Sequence, residues 1–293
     1  MFRHFLLLSL SMNLALSRVP AGTVSTPYGR SYQINVNAAG QNIVGDAANE
    51  PSFCIDPTNP NRMAVGWRQF NTVTNNFRQA GWAYTTNGGL NWKFPGVLTP
   101  GVFRSDPVLA TDADGRFYYL SLMNAPNFHC DLWRSINGGV TWQNLGDAYG
   151  GDKAWMTIDT TTGMGRGNIY HVCSPWYTYS GYETNMFTRS TSGGASWLLP
   201  IWLPGSPYWG TLDVGPDGAL YIVGSDGPNF TVNRSTNAQN SSVTPVFDLT
   251  RTVSLGGALL FRGPINPDGL LGQAGLAVDR STGPTRGNVY LLC

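Results

Sequence analysis

The chain has 293 residues, 42% of them hydrophobic and only 12% charged, with 36 glycines, 19 prolines and a formal net charge of +1. This is a turn-rich all-β composition with ample apolar material for a core. It excludes the basic excess by which a protein holds nucleic acid or an anionic membrane surface.

In chain order, residues 1–17 read as a signal peptide. Arg3 and His4 form a short positive start, Phe5 to Leu16 a mostly apolar run, and Ala15-Leu16-Ser17 a small-x-small cleavage site. The run is too short for a bilayer span, so the mature chain is expected without one, exported to the medium, the periplasm or the cell surface. Residues 18–45 form a polar leader in which the alternation Tyr32-Gln33-Ile34-Asn35-Val36-Asn37 predicts one strand, edging the first repeat or closing a ring.

From residue 46 a repeat begins. Its first strand and turn recur as Glu50 to Pro57, Asp106 to Asp112, Lys153 to Asp159, Trp209 to Gly215 and Gln273 to Asp279. Each is followed by a second apolar strand: Met63 to Trp67, Phe117 to Leu122, Asn168 to Cys173, Ala219 to Val223 and Asn288 to Leu292. A third strand leads into an eight-residue box, Thr85-Thr86-Asn87-Gly88-Gly89-Leu90-Asn91-Trp92. The box returns as Ser135 to Trp142, as Ser190 to Trp197 and, without its Trp, at Ser235-Thr236-Asn237. A hydroxyl at its first position and a short polar side chain at its third can bond the turn backbone, two glycines supply positive φ, and the Trp packs back over the turn. The Trp residues stand 50 and 55 positions apart, the length of a four-stranded propeller blade.

These boxes resemble the Asp-box (BNR) repeats of the sialidase-like β-propeller superfamily, with Asn or Ser where the name-giving Asp usually sits. The resemblance covers roughly residues 46–293 and implies an all-β propeller of four-stranded blades. About five blades are visible where that superfamily closes with six, so the chain reads as a carboxyl-terminally truncated fragment. The resemblance also places the boxes on the outer blade, away from the active site.

Aligning the five units puts Glu50, Asp106, Lys153, Trp209 and Gln273 at equivalent positions around one mouth of the central channel. The ends of the second strands add Arg68, Trp176, Tyr177 and Asp226. Carboxylates, cations and aromatics together suit carbohydrate: ring faces for sugar C–H surfaces, charged groups for hydroxyls. At each position the alternative is a polar residue that caps a strand or faces channel water. The resemblance implies an exo-α-sialidase type of glycoside hydrolase, with three Arg residues on the substrate carboxylate, a Tyr nucleophile activated by a Glu, and an Asp acid. The Phe/Tyr-Arg-Ile-Pro signature of that family is missing. Arg134, Arg189 and Arg234 directly precede box positions and read as outer-strand residues, which leaves Arg68 beside the candidate acid/base residues Glu50 and Asp106. The rival function is a non-catalytic propeller serving as a protein or cell-surface interaction module.

Other chemistries find little support. His129 and His171 show no metal-ligand spacing, and Asp112-Ala113-Asp114-Gly115 and Gly215-Pro216-Asp217-Gly218 read as turns rather than calcium loops, so no metal and no cofactor is expected. Cys54, Cys130, Cys173 and Cys293 carry no pairing motif. Sequons stand at Asn229, Asn233 and Asn240.

Overall fold

The computed structural model describes residues 23–27, 29–175, 181–182, 184–261, 263 and 271–293. Residues 1–17, where a signal peptide is expected, and Trp176 and Tyr177 lie outside them. The described residues are all-β, and no helix among them is long and apolar enough to cross a membrane.

An amino-terminal hairpin joins β1 (Thr23–Thr26) to β2 (Gly29–Tyr32). Four antiparallel sheets of four strands follow. They are β3 (Ala47–Ile55) to β6 (Lys93–Val97) through β4 (Met63–Phe70) and β5 (Gln79–Thr85); and β7 (Ser105–Thr111) to β10 (Gln143–Asp147) through β8 (Phe117–Met123) and β9 (His129–Ser135). The third runs from β11 (Trp155–Ile158) through β12 (Ile169–Val172) and β13 (Asn185–Ser190) to β14 (Ile201–Trp202). The fourth runs from β15 (Leu212–Val214) through β16 (Leu220–Ser225) and β17 (Phe230–Ser235) to β18 (Leu249–Val253). A two-stranded sheet, β19 (Gly275–Val278) with β20 (Val289–Leu292), closes the described chain.

The first strands of successive sheets adjoin, β3 against β7, β7 against β11, β11 against β15 and β15 against β19, so the sheets stand as blades around an axis. The apolar runs pack face to face between blades. Cys54, Ala64 and Ala80 of the first meet Leu109, Phe117, Tyr119 and Trp133 of the second, and a larger cluster joins the second, third and fourth blades through Leu120, Leu132, Ile169, Phe187, Leu220 and Ile222. Each buried Leu, Ile or Phe among them contributes roughly 1.5–3 kcal/mol by leaving water.

The boxes close as their residue types dictate. The Ser135 hydroxyl accepts the Gly139 amide at 2.9 Å, and Asn137 Oδ1 accepts the Ser135 hydroxyl at 2.8 Å and the Thr141 amide at 3.0 Å. Ser190 accepts the Gly194 amide at 2.9 Å, and Thr85 the Gly89 amide at 3.2 Å. Both glycines of the first three boxes have positive φ, and in the second and third boxes the latter glycine is also crowded: a Cβ on Gly139 would lie 3.0 Å from Ala64, and one on Gly194 would strike Leu132. The second and third boxes therefore pack on the preceding blade. The indole of Trp82 adds a tie by donating to the Gly139 carbonyl at 3.0 Å.

One expectation needs correction. The leader strand at Tyr32–Asn37 is replaced by the earlier hairpin and a single bridge between Val36 and Asn42. Asn37 Oδ1 takes the amides of Ala39 and Gln41, a local turn that outcompetes extension. The connection after the fourth box holds the outer strand of that blade, β18.

Candidate functional site

The mouth positions share an unusual backbone. Glu50, Asp106, Lys153 and Trp209 all lie in the left-handed region, at φ 49°, 47°, 52° and 49°. Such a conformation costs a non-glycine residue on the order of 1 kcal/mol or more, so its recurrence in four blades is a device of the fold. In the first two blades it coincides with a bulge, where pairing shifts between Asn49 and Ser52 of β3 and between Ser105 and Val108 of β7. Pro51 and Pro107 follow directly, and a bulge is where a missing N–H disturbs the ladder least. The kinked residue is thereby turned out of the ladder toward the axis.

Glu50, Asp106, Lys153 and Gln273 line one cavity of about 180 Å³, together with Pro51, Trp155 and Leu271. Lys153 Nζ stands 2.7 Å from Glu50 Oε2 and 3.4 Å from Asp106 Oδ1, and its amide donates to Asp106 Oδ2 at 2.8 Å. Arg68 of β4, almost wholly buried, pairs with Glu50 Oε1 at 2.8 Å. The hydroxyl of Ser105 donates to Asp106 at 2.7 Å. Three blades thus meet in one ionic network.

Sequence reasoning missed a fifth member. Asp152 lies in the Gly150-Gly151-Asp152-Lys153 loop, its carboxyl against that of Asp106. Burial, then the Asp106 charge, push it up to about 7. Burial also opposes ionisation of Asp106, but the Lys153 ammonium, the Ser105 hydroxyl, the Lys153 amide and Arg68 together hold it down at about 2. Lys153 is raised, since its two carboxylates outweigh its burial. The arithmetic of charge gives the reason. Two cations balance Glu50 and Asp106, and a third carboxylate in the same low-dielectric space keeps its proton. The only trace in sequence was an acid next to the aligned Lys.

Other expected members are placed elsewhere. Trp209 shares the kink, but its ring packs on Phe261 at 3.9 Å between centroids and edge-on to Tyr208 at 4.8 Å, within an apolar cluster of the fourth and fifth blades. Asp226 accepts the Thr231 hydroxyl at 2.8 Å at the β16–β17 turn and does not line the cavity. Gln273 lines it while donating to the Gly210 carbonyl at 2.7 Å. Among the described residues no Arg triad forms around the carboxylates. Arg189 is consumed by the carbonyls of Ala238, Asn240 and Val243, Arg234 by Asp248, and Arg134 by Gln143. Arg104, not singled out beforehand, is buried against Asp131 at 2.7 Å and over the Trp133 ring at 5.5 Å. Asp112 spends Oδ1 on the amides of Asp114 and Arg116, as a turn does, and among the described residues no three His, Cys, Asp or Glu side chains converge as metal ligands. Cys54, Cys130 and Cys173 are buried free thiols, and Cys293 is exposed.

No family model matches the chain. Over 207 residues, 60% of its length, it is 28% identical to a xyloglucanase from a Paenibacillus species, of which that stretch is 18%. The chain therefore spans about a fifth of that curated relative. Among solved structures it superimposes on the α-L-arabinanase of Penicillium chrysogenum with a TM-score of 0.52, at 12% identity over 84% of this chain and 74% of that one. A Hadza microbial sialidase gives 0.51, at 11% identity over 87% and 53%. These likenesses bear on the fold alone, and the chain shares a β-propeller fold of four-stranded antiparallel sheets with these two solved structures.

Proposed function

We propose that the chain is the propeller of an exported glycoside hydrolase, acting on glycans at the axial mouth. The observation that carries this reading is the network in which Glu50, Asp106 and Lys153 line the cavity with Arg68 and Asp152 joined to them, burial and the Asp106 charge raising Asp152 while Lys153 holds Asp106 low. Glycosidic cleavage requires both forms on opposite sides of the bond, an acid to protonate the leaving oxygen and, roughly 5–9 Å from it, a carboxylate for the nucleophile or the water. Asp152 is the proton donor in this reading, and its partner is Glu50 and not Asp106, which touches it. Neutral glycans fit better than sialosides, because Arg68 and Lys153 are already paired with carboxylates, whereas an anionic sugar calls for cations that are not. The xyloglucanase likeness supports the same preference.

The test is hydrolysis of xyloglucan, arabinan and a fluorogenic sialoside by the secreted protein, compared with Asp152→Asn. Turnover of a neutral polymer that vanishes in the variant supports the reading, and turnover of the sialoside alone restores the exo-sialidase assignment. One observation favours the non-catalytic interaction module. Lys153 joins the first, second and third blades through Glu50 and Asp106, as a purely architectural clasp would. Silence on all three substrates, with a falling melting temperature in Glu50→Gln and Asp106→Asn, selects that alternative.

A further inference from the structure

We propose that Tyr149 and Tyr182 form a sugar-stacking platform beside the cavity, so that the mouth takes a glycan chain and not a single terminal sugar. This rests on the glycan reading of the mouth and adds to it the length of the substrate.

Tyr149 has φ 60°, a second departure from ordinary backbone only four residues before Lys153. The residue suited to that conformation is glycine, and the next position, at φ 87°, is one. The chain nevertheless spends a bulky aromatic there. Such strain persists only where the surroundings over-determine it, and here they do. The Tyr149 amide donates to Asp147 Oδ1 at 2.6 Å and its carbonyl accepts the Cys130 amide at 2.6 Å. Beneath Gly150 the buried His171 ring leaves no room for a Cβ, with Nε2 at 2.7 Å and Cys130 Sγ at 3.2 Å from that point.

The loop that delivers Lys153 to the cavity therefore delivers Tyr149 in one fixed pose. Tyr149 and Tyr182 stay half-buried and meet edge to face, with centroids 5.9 Å apart at 64°. Both rings thus keep part of their surface in solvent, Tyr149 on the loop that ends at Lys153. Four residues of chain reach at most roughly 14 Å, which keeps the platform within a few sugar rings of the cavity. A rigid aromatic with an apolar face and a polar tip matches the alternating C–H and hydroxyl surface of a neutral sugar.

The measurement is calorimetric binding of gluco-, xylo- and arabino-oligosaccharides of one to six units to the full chain, to Tyr149→Gly and to Tyr149→Phe. Affinity of the wild type is expected to rise with length. In Tyr149→Gly the longest ligands weaken by about three- to tenfold, while monosaccharide affinity holds and the melting temperature stays level or rises, because glycine relieves the φ. Tyr149→Phe retains most of the length dependence. An unchanged length dependence in Tyr149→Gly overturns the platform, as does an equal loss at every length with a lower melting temperature, which would make Tyr149 structural. A wild type that binds no oligosaccharide in any series overturns the glycan reading itself.

Discussion

Replacing Asp152 by Asn tests the proton at the centre of the network. The wild-type carboxyl is raised from 3.8 to about 7 by burial and by Asp106. Between pH 4 and 7 the unfolded chain has released that proton and the folded chain has not, so folding loses stability as pH rises through this window. At 1.36 kcal/mol per pH unit the full loss is about 4 kcal/mol, complete above pH 7. His171 works in the opposite sense. Burial lowers it from 6.5 to about 4, so below pH 6.5 the unfolded chain takes up a proton that the folded chain refuses, and stability falls by about 3 kcal/mol toward pH 4. The two slopes nearly cancel in the wild type. Asn removes the first and keeps a donor for Asp106, so the variant should match the wild type near pH 4 and exceed it by about 4 kcal/mol at pH 8, a shift of roughly 1 M in the urea midpoint. Equilibrium unfolding across pH 4–8 reads this directly. If the two midpoints stay parallel at every pH, or the variant is the weaker at pH 8, the proton does not reside on Asp152 and the assignment of the acid falls.

Lys153→Met strips Glu50 and Asp106 of their shared cation and is expected to destabilise the fold by about 3–5 kcal/mol at pH 7, with part of the loss recovered by adding Glu50→Gln; melting curves of the single and double variants decide it. Gly194→Ala combines a left-handed φ with a clash against Leu132 and should cost roughly 1–3 kcal/mol in the same assay, whereas Gly167→Ala, at similar φ with open space around it, should cost about 1. Trp82→Phe removes the bond to the Gly139 carbonyl and is expected to lose about 1 kcal/mol without touching activity, since the bond ties outer parts of two blades.

The sequence was most readable where chemistry and backbone coincide. A hydroxyl, a short polar residue and two glycines at fixed spacing admit one turn, and Ser135, Asn137, Gly138 and Gly139 make it. Near-continuous apolar runs such as Phe117 to Met123 likewise admit a strand buried on both faces. Prediction failed where a local hydrogen bond competed with periodicity, as at Asn37, and where tertiary contact decides an orientation. Nothing around Trp209 in the chain says that Phe261, some fifty residues on, covers its ring. The left-handed backbone of Glu50 and Asp106 was also illegible, because propensity assigns that conformation to Gly and Asn, and each is followed by a proline. Asp152 escaped because its role depends on a count of charges from three blades that only the assembled mouth brings together.

That count explains how the same kink can carry different chemistry. A residue turned out of the ladder makes no cross-strand pair, so its side chain is released from the apolar demand that governs its neighbours, and four blades fill it with Glu, Asp, Lys and Trp. What the positions must satisfy is collective. Buried charge has to balance, and with Arg68 and Lys153 set against Glu50 and Asp106 the balance is already met without Asp152. The extra carboxyl can enter only as the neutral acid, and its protonation follows from the sum over the site and not from any one neighbour. Removing either cation should therefore raise the acid further, and removing Glu50 or Asp106 should let Asp152 ionise in its place. The identity of the proton-bearing group is thus a property of the ring of blades, written at positions that lie about fifty residues apart in the chain.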